Sequence, residues 1–229
     1  MARMIARITL VFLLLSPLAA AQAQQFGPAR FPIKADDGDL LTNHSVSADQ
    51  MAKIGRLPGI INVGDPNGDV TLYQFYDLNC PFCREAARDV DELVRSDRAL
   101  RLVFVPYPTL SVQSVEGARV ELAVREMVTP QKFLEFHRRI YAGRGTIDGA
   151  RALAMTKEMG LDQNKIVELA NAQRVTDTMK EHALLGSALK LVATPAYVIQ
   201  GIAILGHPGL EPLRKIVRSV RTCKAVVCR

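Results

Sequence analysis

Apolar and polar positions change rhythm several times along the chain, and each change marks an element. From Asp69 the stretch DVTLYQFYDL alternates, with Val70, Leu72, Gln74 and Tyr76 on one face and Thr71, Tyr73 and Phe75 on the other. Alternation among β-branched and aromatic residues predicts a strand. After Cys80 and Cys83 the rhythm turns helical, with Ala86, Val90 and Leu93 at i, i+4 and i+7 of REAARDVDELVRS. LRLVFVPYP reads as a second strand, closed by Pro106 and Pro108. From Ser114 to about Leu191 the pattern is helical in pieces, broken at Thr129-Pro130, at AGRGT and at GLDQN. PAYVIQG and IAILG then predict two short strands around Gly201, and PGLEPLRKIVRSVRTC a closing helix.

This order describes an α/β domain over residues 64–229 with a helical insertion at about 111–190. Residues 24–63 differ in texture. They are rich in Pro, Gly, Asp and Asn, contain one helical candidate at Ser47–Gly55, and read as an N-terminal arm, either disordered or docked on another subunit. Ahead of the arm, residues 1–23 have the three parts of a secretory signal: Arg3 and Arg7, an apolar run from Ile8 to Leu15, and the small-x-small site Ala21-Gln22-Ala23. The run is too short to span a bilayer, for which about 20 apolar residues are needed. A cleaved signal and an exported mature chain are therefore expected.

Composition adds limits. Of the 229 residues 48% are hydrophobic, enough for a substantial core. The formal charge of +6 falls to +4 once Arg3 and Arg7 leave. Lys and Arg are interspersed with acids, which argues against a nucleic-acid face. Outside the cytoplasm, four cysteines invite a disulfide reading.

Cys80 and Cys83 stand in DLNCPFCR, where a predicted strand gives way to a predicted helix. A cysteine at a helix start meets unpaired N–H groups and the positive dipole end, which favours thiolate over thiol. Cys80 is thus the expected nucleophile and Cys83 the thiol that resolves a mixed disulfide, with Pro81 suited to the first turn. Two other readings compete. A structural zinc site needs a second ligand pair that is missing nearby, and a purely structural staple over so short a loop gains little from closure entropy. No metal ligand set is expected.

The segment FYDLNCPFCR resembles the active-site segment of the DsbA-like thiol:disulfide oxidoreductases of the thioredoxin superfamily, and VATPAYVIQG resembles their cis-proline segment. The resemblance covers about Gly64–Arg221 and implies a thioredoxin-like core with an inserted helical domain. By it, Cys80 attacks, Cys83 resolves, Thr194-Pro195 is a cis bond opposite them, and Thr194, Pro81 and Phe82 meet the substrate. It further implies a periplasmic location, exported cysteine-containing proteins as substrates, no cofactor, and a membrane redox partner of DsbB or DsbD type. An oxidant role is expected first. An isomerase or reductase is the alternative, since Thr194 before the proline resembles isomerase members, and a soft-metal (copper) tolerance protein is a more distant one. The superfamily often places a buried carboxylate six residues before the first cysteine, where this chain has Gln74. Asp77 is then either a substitute base or a helix-cap acceptor.

Cys223 and Cys228, in TCKAVVCR, could close a small loop that pins the last helix. In an exported chain a structural disulfide is expected of them, against free thiols, a relay pair or a soft-metal site. His137 and His182 read as partly buried helix residues, and His44 and His207 carry no sign of chemistry.

Overall fold

The structure is a computed structural model that describes residues 29–228. The expected signal segment and residues 24–28 lie outside the described residues. In chain order the elements are β1 (Asn43–Ser45), α1 (Ala48–Ile54), β2 (Ile61–Gly64), β3 (Val70–Tyr76), α2 (Pro81–Ser96), β4 (Leu100–Pro106), α3 (Val112–Met127), α4 (Pro130–Ala142), α5 (Gly149–Glu158), α6 (Gln163–Asn171), α7 (Gln173–Ala188), β5 (Ala196–Ile199), β6 (Ile202–Leu205) and α8 (Leu210–Cys223). The strands form one sheet in the order β1-β6-β5-β3-β4-β2. β3 and β4 run parallel, linked by α2, and the other neighbours are antiparallel.

β3 lies at the centre and is covered on both faces. Val70, Leu72 and Tyr76 face a core shared with α2, α4 and α8, while Tyr73 and Phe75 face a second core that includes Ile54 of α1 and Leu185 of α7. The alternation read in the sequence is therefore real, but both phases are apolar because the strand is sandwiched. Five helices, α3 to α7, fill the stretch between β4 and β5. One of their anchors is His182, buried with its two ring nitrogens 2.8 Å from the Pro106 carbonyl oxygen and 2.7 Å from that of Pro58. It braces α7 against the end of β4.

The described part of the expected arm belongs to this domain. β1 pairs with β6 and β2 with β4, so the segment supplies the strand at each edge of the sheet. Ile33 is buried in the main core, and the Asn43 side chain ties Phe31 and Leu41 to β1. The domain therefore extends well ahead of residue 64. The helix expected at Ser47–Gly55 is α1, closed by a capping box in which the Ser47 and Gln50 side chains each accept the other's backbone N–H.

At the other terminus Cys223 and Cys228 form a disulfide. Next to it Arg221 bonds to both Asp69, just before β3, and Asp97, just after α2. The disulfide thus sits at the start of β3, whereas Cys80 follows its end. Seven residues of extended chain separate the two by about 20 Å, too far for direct exchange. A Cys223→Ser, Cys228→Ser double variant is expected to lose about 2 kcal/mol of stability, as closure of so small a loop predicts. Its disulfide-exchange rate should match the parent; denaturant melts and a rate assay on the same preparation read both quantities.

Candidate active site

The end of β3 delivers the cysteines. Cys80 is the N-cap of α2 and Pro81 takes the first helical position, where a missing N–H costs nothing. The loop before them is bracketed from three sides. The buried Asp77 carboxylate accepts from the Asn79 N–H (2.8 Å) and from the N–H groups of Thr109 (2.8 Å) and Leu110 (3.0 Å) beyond β4. Asn79 donates to Ser114 Oγ and the Ile147 carbonyl and accepts from the Ile147 N–H. Tyr141 of α4 donates its hydroxyl to the Asp77 carbonyl. Asp77 is accordingly an acceptor for loop amides, and not the helix-cap acceptor expected of it: Cys80 is the N-cap of α2, and no side chain caps that helix end.

Opposite the cysteines, β5 is entered through the Thr194-Pro195 peptide, which is cis. The Thr194 carbonyl oxygen lies 3.0 Å from Cys80 Sγ and accepts its proton when Cys80 is in the thiol form. Both cysteines are reduced and buried, Cys83 the more deeply. They are electrostatically opposite. The Cys83 thiol donates to Cys80; against the cost of burial, that bond, the Thr194 side chain and the N–H groups of Phe82 and Cys83 bring Cys80 down to about 6. Burial pushes the Cys83 thiol far above the ordinary thiol range, and the bond it gives to Cys80, with the negative charge there, pushes the same way. At neutral pH the pair holds one thiolate and one thiol.

Six residues named from the sequence therefore converge: Cys80, Pro81, Phe82 and Cys83 at the start of α2, with Thr194 and Pro195 facing Cys80. Cys223 and Cys228 stay apart. Phe82 is 60% exposed, and Leu110 (55%), Val112 (71%) and Val192 (65%), in the loops and helix start bordering the site, add apolar surface. Sequence reasoning missed Asn79, Tyr141 and the pairings within a layer of buried polar side chains. In that layer Gln74 is buried with its Oε1 unpartnered among the described residues, beside Tyr197 and Phe104 in register. Glu121 and His137 are buried as a bonded pair, Oε1 to Nδ1 at 3.1 Å. His207 links Tyr197 OH (2.8 Å) to Asp89 Oδ2 (2.9 Å). A signal for Glu121 was present: it is the one carboxylate inside VELAV, where Val120, Leu122, Ala123 and Val124 are all buried. Among the described residues no three His, Cys, Asp or Glu side chains come together as metal ligands.

The sequence profile of the family described as Thioredoxin matches residues 57–219. The chain belongs to the thioredoxin family. Its fold is DsbA-like. A thioredoxin-like oxidoreductase from Silicibacter pomeroyi DSS-3 is 29% identical, with a TM-score of 0.70 over 78% of this chain and 99% of that one. The thiol-disulfide exchange protein alpha-DsbA2 from Wolbachia pipientis is 23% identical, with a TM-score of 0.66 over 77% and 100%. The catalytic domain of Proteus mirabilis ScsC is 20% identical, with a TM-score of 0.67 over 75% and 94%. Among curated proteins, the Na(+)/H(+) antiporter NhaA 1 of Mycobacterium sp. (strain KMS) is 25% identical over 144 residues, 60% of this chain. The chain spans only 23% of that protein's length. Among the described residues no helix is long and apolar enough to cross a membrane.

The pair's asymmetry sets a pH dependence. Since the thiolate reacts and the Cys80 value is lowered, alkylation at Cys80 should rise as pH passes about 6 and level off above it, instead of climbing through the free-thiol value of about 8.5. Mass mapping of iodoacetamide adducts across pH checks both the midpoint and the site. First modification at Cys83 would reverse the assignment of the two thiols.

Proposed function

We propose that this protein is a thiol-disulfide oxidoreductase that works outside the cytoplasm and oxidises exported proteins through Cys80 and Cys83. The carrying observation is the stabilised Cys80 thiolate. A fold that favours the reduced pair by holding a thiolate makes its disulfide the stronger oxidant. A value of about 6 lies well below that of a free thiol, about 8.5.

In the oxidised protein a substrate thiolate attacks Cys80 Sγ. The Cys80–Cys83 bond breaks, and Cys83 leaves with its electron pair and takes up a proton. The substrate's second thiolate then attacks the substrate sulfur of the mixed disulfide, forming the substrate disulfide and releasing Cys80 as the stabilised thiolate. Phe82, Leu110, Val112 and Val192 offer apolar contact to an extended, incompletely folded chain. Thr194 lies where the backbone of such a chain would run beside Cys80. The expected signal segment supports a periplasmic site of action, where a membrane partner of DsbB or DsbD type would reset the pair. Solved proteins of this fold include one titled a periplasmic thioredoxin-like protein from Salmonella enterica serovar Typhimurium, at 21% identity and a TM-score of 0.63.

A second reading, disulfide isomerase, draws on the same Cys80 thiolate and on Thr194 before the proline. Equilibration against glutathione mixtures separates them together with two substrates. An oxidant should have a potential above about −200 mV and should oxidise a reduced, unfolded protein faster than it reactivates a scrambled one. A potential near about −270 mV would overturn the oxidant reading, and preferential reactivation of the scrambled protein would favour the isomerase.

A further inference from the structure

Beside the active loop lies a groove that exchange at Cys80 does not account for. It encloses about 730 Å³ between α2, α4 and the loop after α4. Five arginines line it: Arg84, Arg88 and Arg95 from α2, Arg138 from α4, and Arg144 from the loop. Among the described residues Asp91 is the one carboxylate in its wall.

Most of this positive charge is left uncompensated. The buried Asp91 is 3.3 Å from Arg95 and 3.6 Å from Arg138, and Glu92, outside the groove, also pairs with Arg95 at 3.0 Å. Arg84 bonds only to neutral acceptors, the carbonyls of Tyr141, Gly143 and Gly145. Arg88 and Arg144 are exposed, and neither has an ion-pair partner among the described residues. From behind the loop, Arg151 of α5 donates to the carbonyls of Ile140, Arg144, Gly145 and Thr146, near enough to Arg84 for the two charges to oppose each other. Gathering like charges in this way works against the fold, while concave low-dielectric walls focus their field on whatever enters.

The chemistry and the shape define the occupant. A guanidinium group presents paired N–H donors that match a carboxylate two at a time. The arginines of α2 are strung over about 16 Å at 1.5 Å per residue, longer than a single small anion, and the surface is concave where a membrane is flat. We infer that the groove holds an acidic run of the substrate chain, and so selects exported proteins that carry such a run near the reactive cysteine; this rests on the exchange proposed for Cys80. Along α2 the groove begins about 6 Å past Cys80 and ends about 22 Å past it. Extended chain covers about 3.3 Å per residue, which places the acidic residues roughly two to seven positions from the cysteine joined to Cys80. The arginines hold the chain equally before and during thiolate attack, so they act on KM and not on kcat.

Two unfolded dithiol peptides that differ only in carrying Glu or Gln at those positions, given to the oxidised full chain, test this. At low salt the Glu peptide should have a kcat/KM about 10-fold higher, carried by KM, as a few exposed ion pairs predict. An Arg88→Gln, Arg144→Gln double variant should bring the Glu peptide down to the rate of the Gln peptide, and so should salt at about 0.5 M. Equal rates on the parent protein overturn the inference and leave exchange at Cys80 standing. If neither peptide is oxidised, the proposed function fails and binding decides: by fluorescence anisotropy a cysteine-free Glu peptide must still bind the parent more tightly than its Gln counterpart and lose that advantage in the double variant. Failure of either binding result overturns the inference as well. Arginine-dependent binding to phosphatidylglycerol vesicles, with no preference for the Glu peptide, would assign the groove to a membrane surface and overturn it too.

Discussion

The hydrogen bond from the Cys83 thiol to the Cys80 thiolate is where the chemistry and the architecture meet, because each sulfur sets the other's charge state. The bond exists only if one cysteine stands at the helix start and the other one turn inside, buried in the main core. It makes Cys80 anionic at neutral pH and denies the same state to Cys83. Thermodynamic linkage follows. A thiolate favoured in the folded reduced protein contributes stability that is fully present above the unfolded thiol value and is lost as pH falls through about 6. In exchange with an ordinary thiol couple, whose thiols stay protonated there, the balance therefore tilts toward the protein's dithiol as pH rises across that window.

Such a bond survives only on a rigid support, and the helical insertion supplies much of it. Asp77 gathers amides from the segment entering α3, Asn79 reaches Ser114 and the loop before α5, and Tyr141 comes down from α4. Arg84, one turn into α2, donates to the carbonyls of Tyr141, Gly143 and Gly145. The insertion is thus tied to the active loop on both sides of Cys80. Its apolar contribution, Phe133, Phe136 and Ile140 at the stripe spacing read from the sequence, buries the far face of the same core.

What could be read from the chain depended on how many residues reported each feature. β3 and β4, seven residues each, gave enough positions for alternation to appear, and the cysteine pair at their junction with α2 carried its own context. β1 and β2, of three and four residues, gave too few. Each pairs on one side only, so polar residues, Pro and Gly persist around it and the segment looks like an arm. Gln74 was legible as a departure, but its consequence was not. Burial of Glu121 requires α3 to be covered nearly all round, and that depends on helices that follow it in sequence. His207 is brought to Asp89 and Tyr197 only by the turn after β6. Pairings of this kind belong to tertiary structure, and one-dimensional periodicity has no access to them.

Two cysteine pairs on one chain meet opposite ends of a helix, and that difference accounts for their different states. Cys80 lies at the N-terminus of α2, where amide groups and the positive dipole end stabilise a thiolate, so the reduced pair is favoured and its disulfide is easily opened. Cys223 is the last residue of α8, and its sulfur lies 3.1 Å from the Ser219 carbonyl oxygen. At a helix C-terminus carbonyl oxygens and the negative dipole end oppose a thiolate. A disulfide there gains nothing from the leaving-group stabilisation that makes Cys80–Cys83 labile, and only a thiolate can leave or attack in exchange. The same oxidising surroundings can therefore keep Cys223–Cys228 closed while Cys80–Cys83 cycles. Spacing alone, two intervening residues against four, would not separate a reactive pair from an inert one; the polarity of the helix end does.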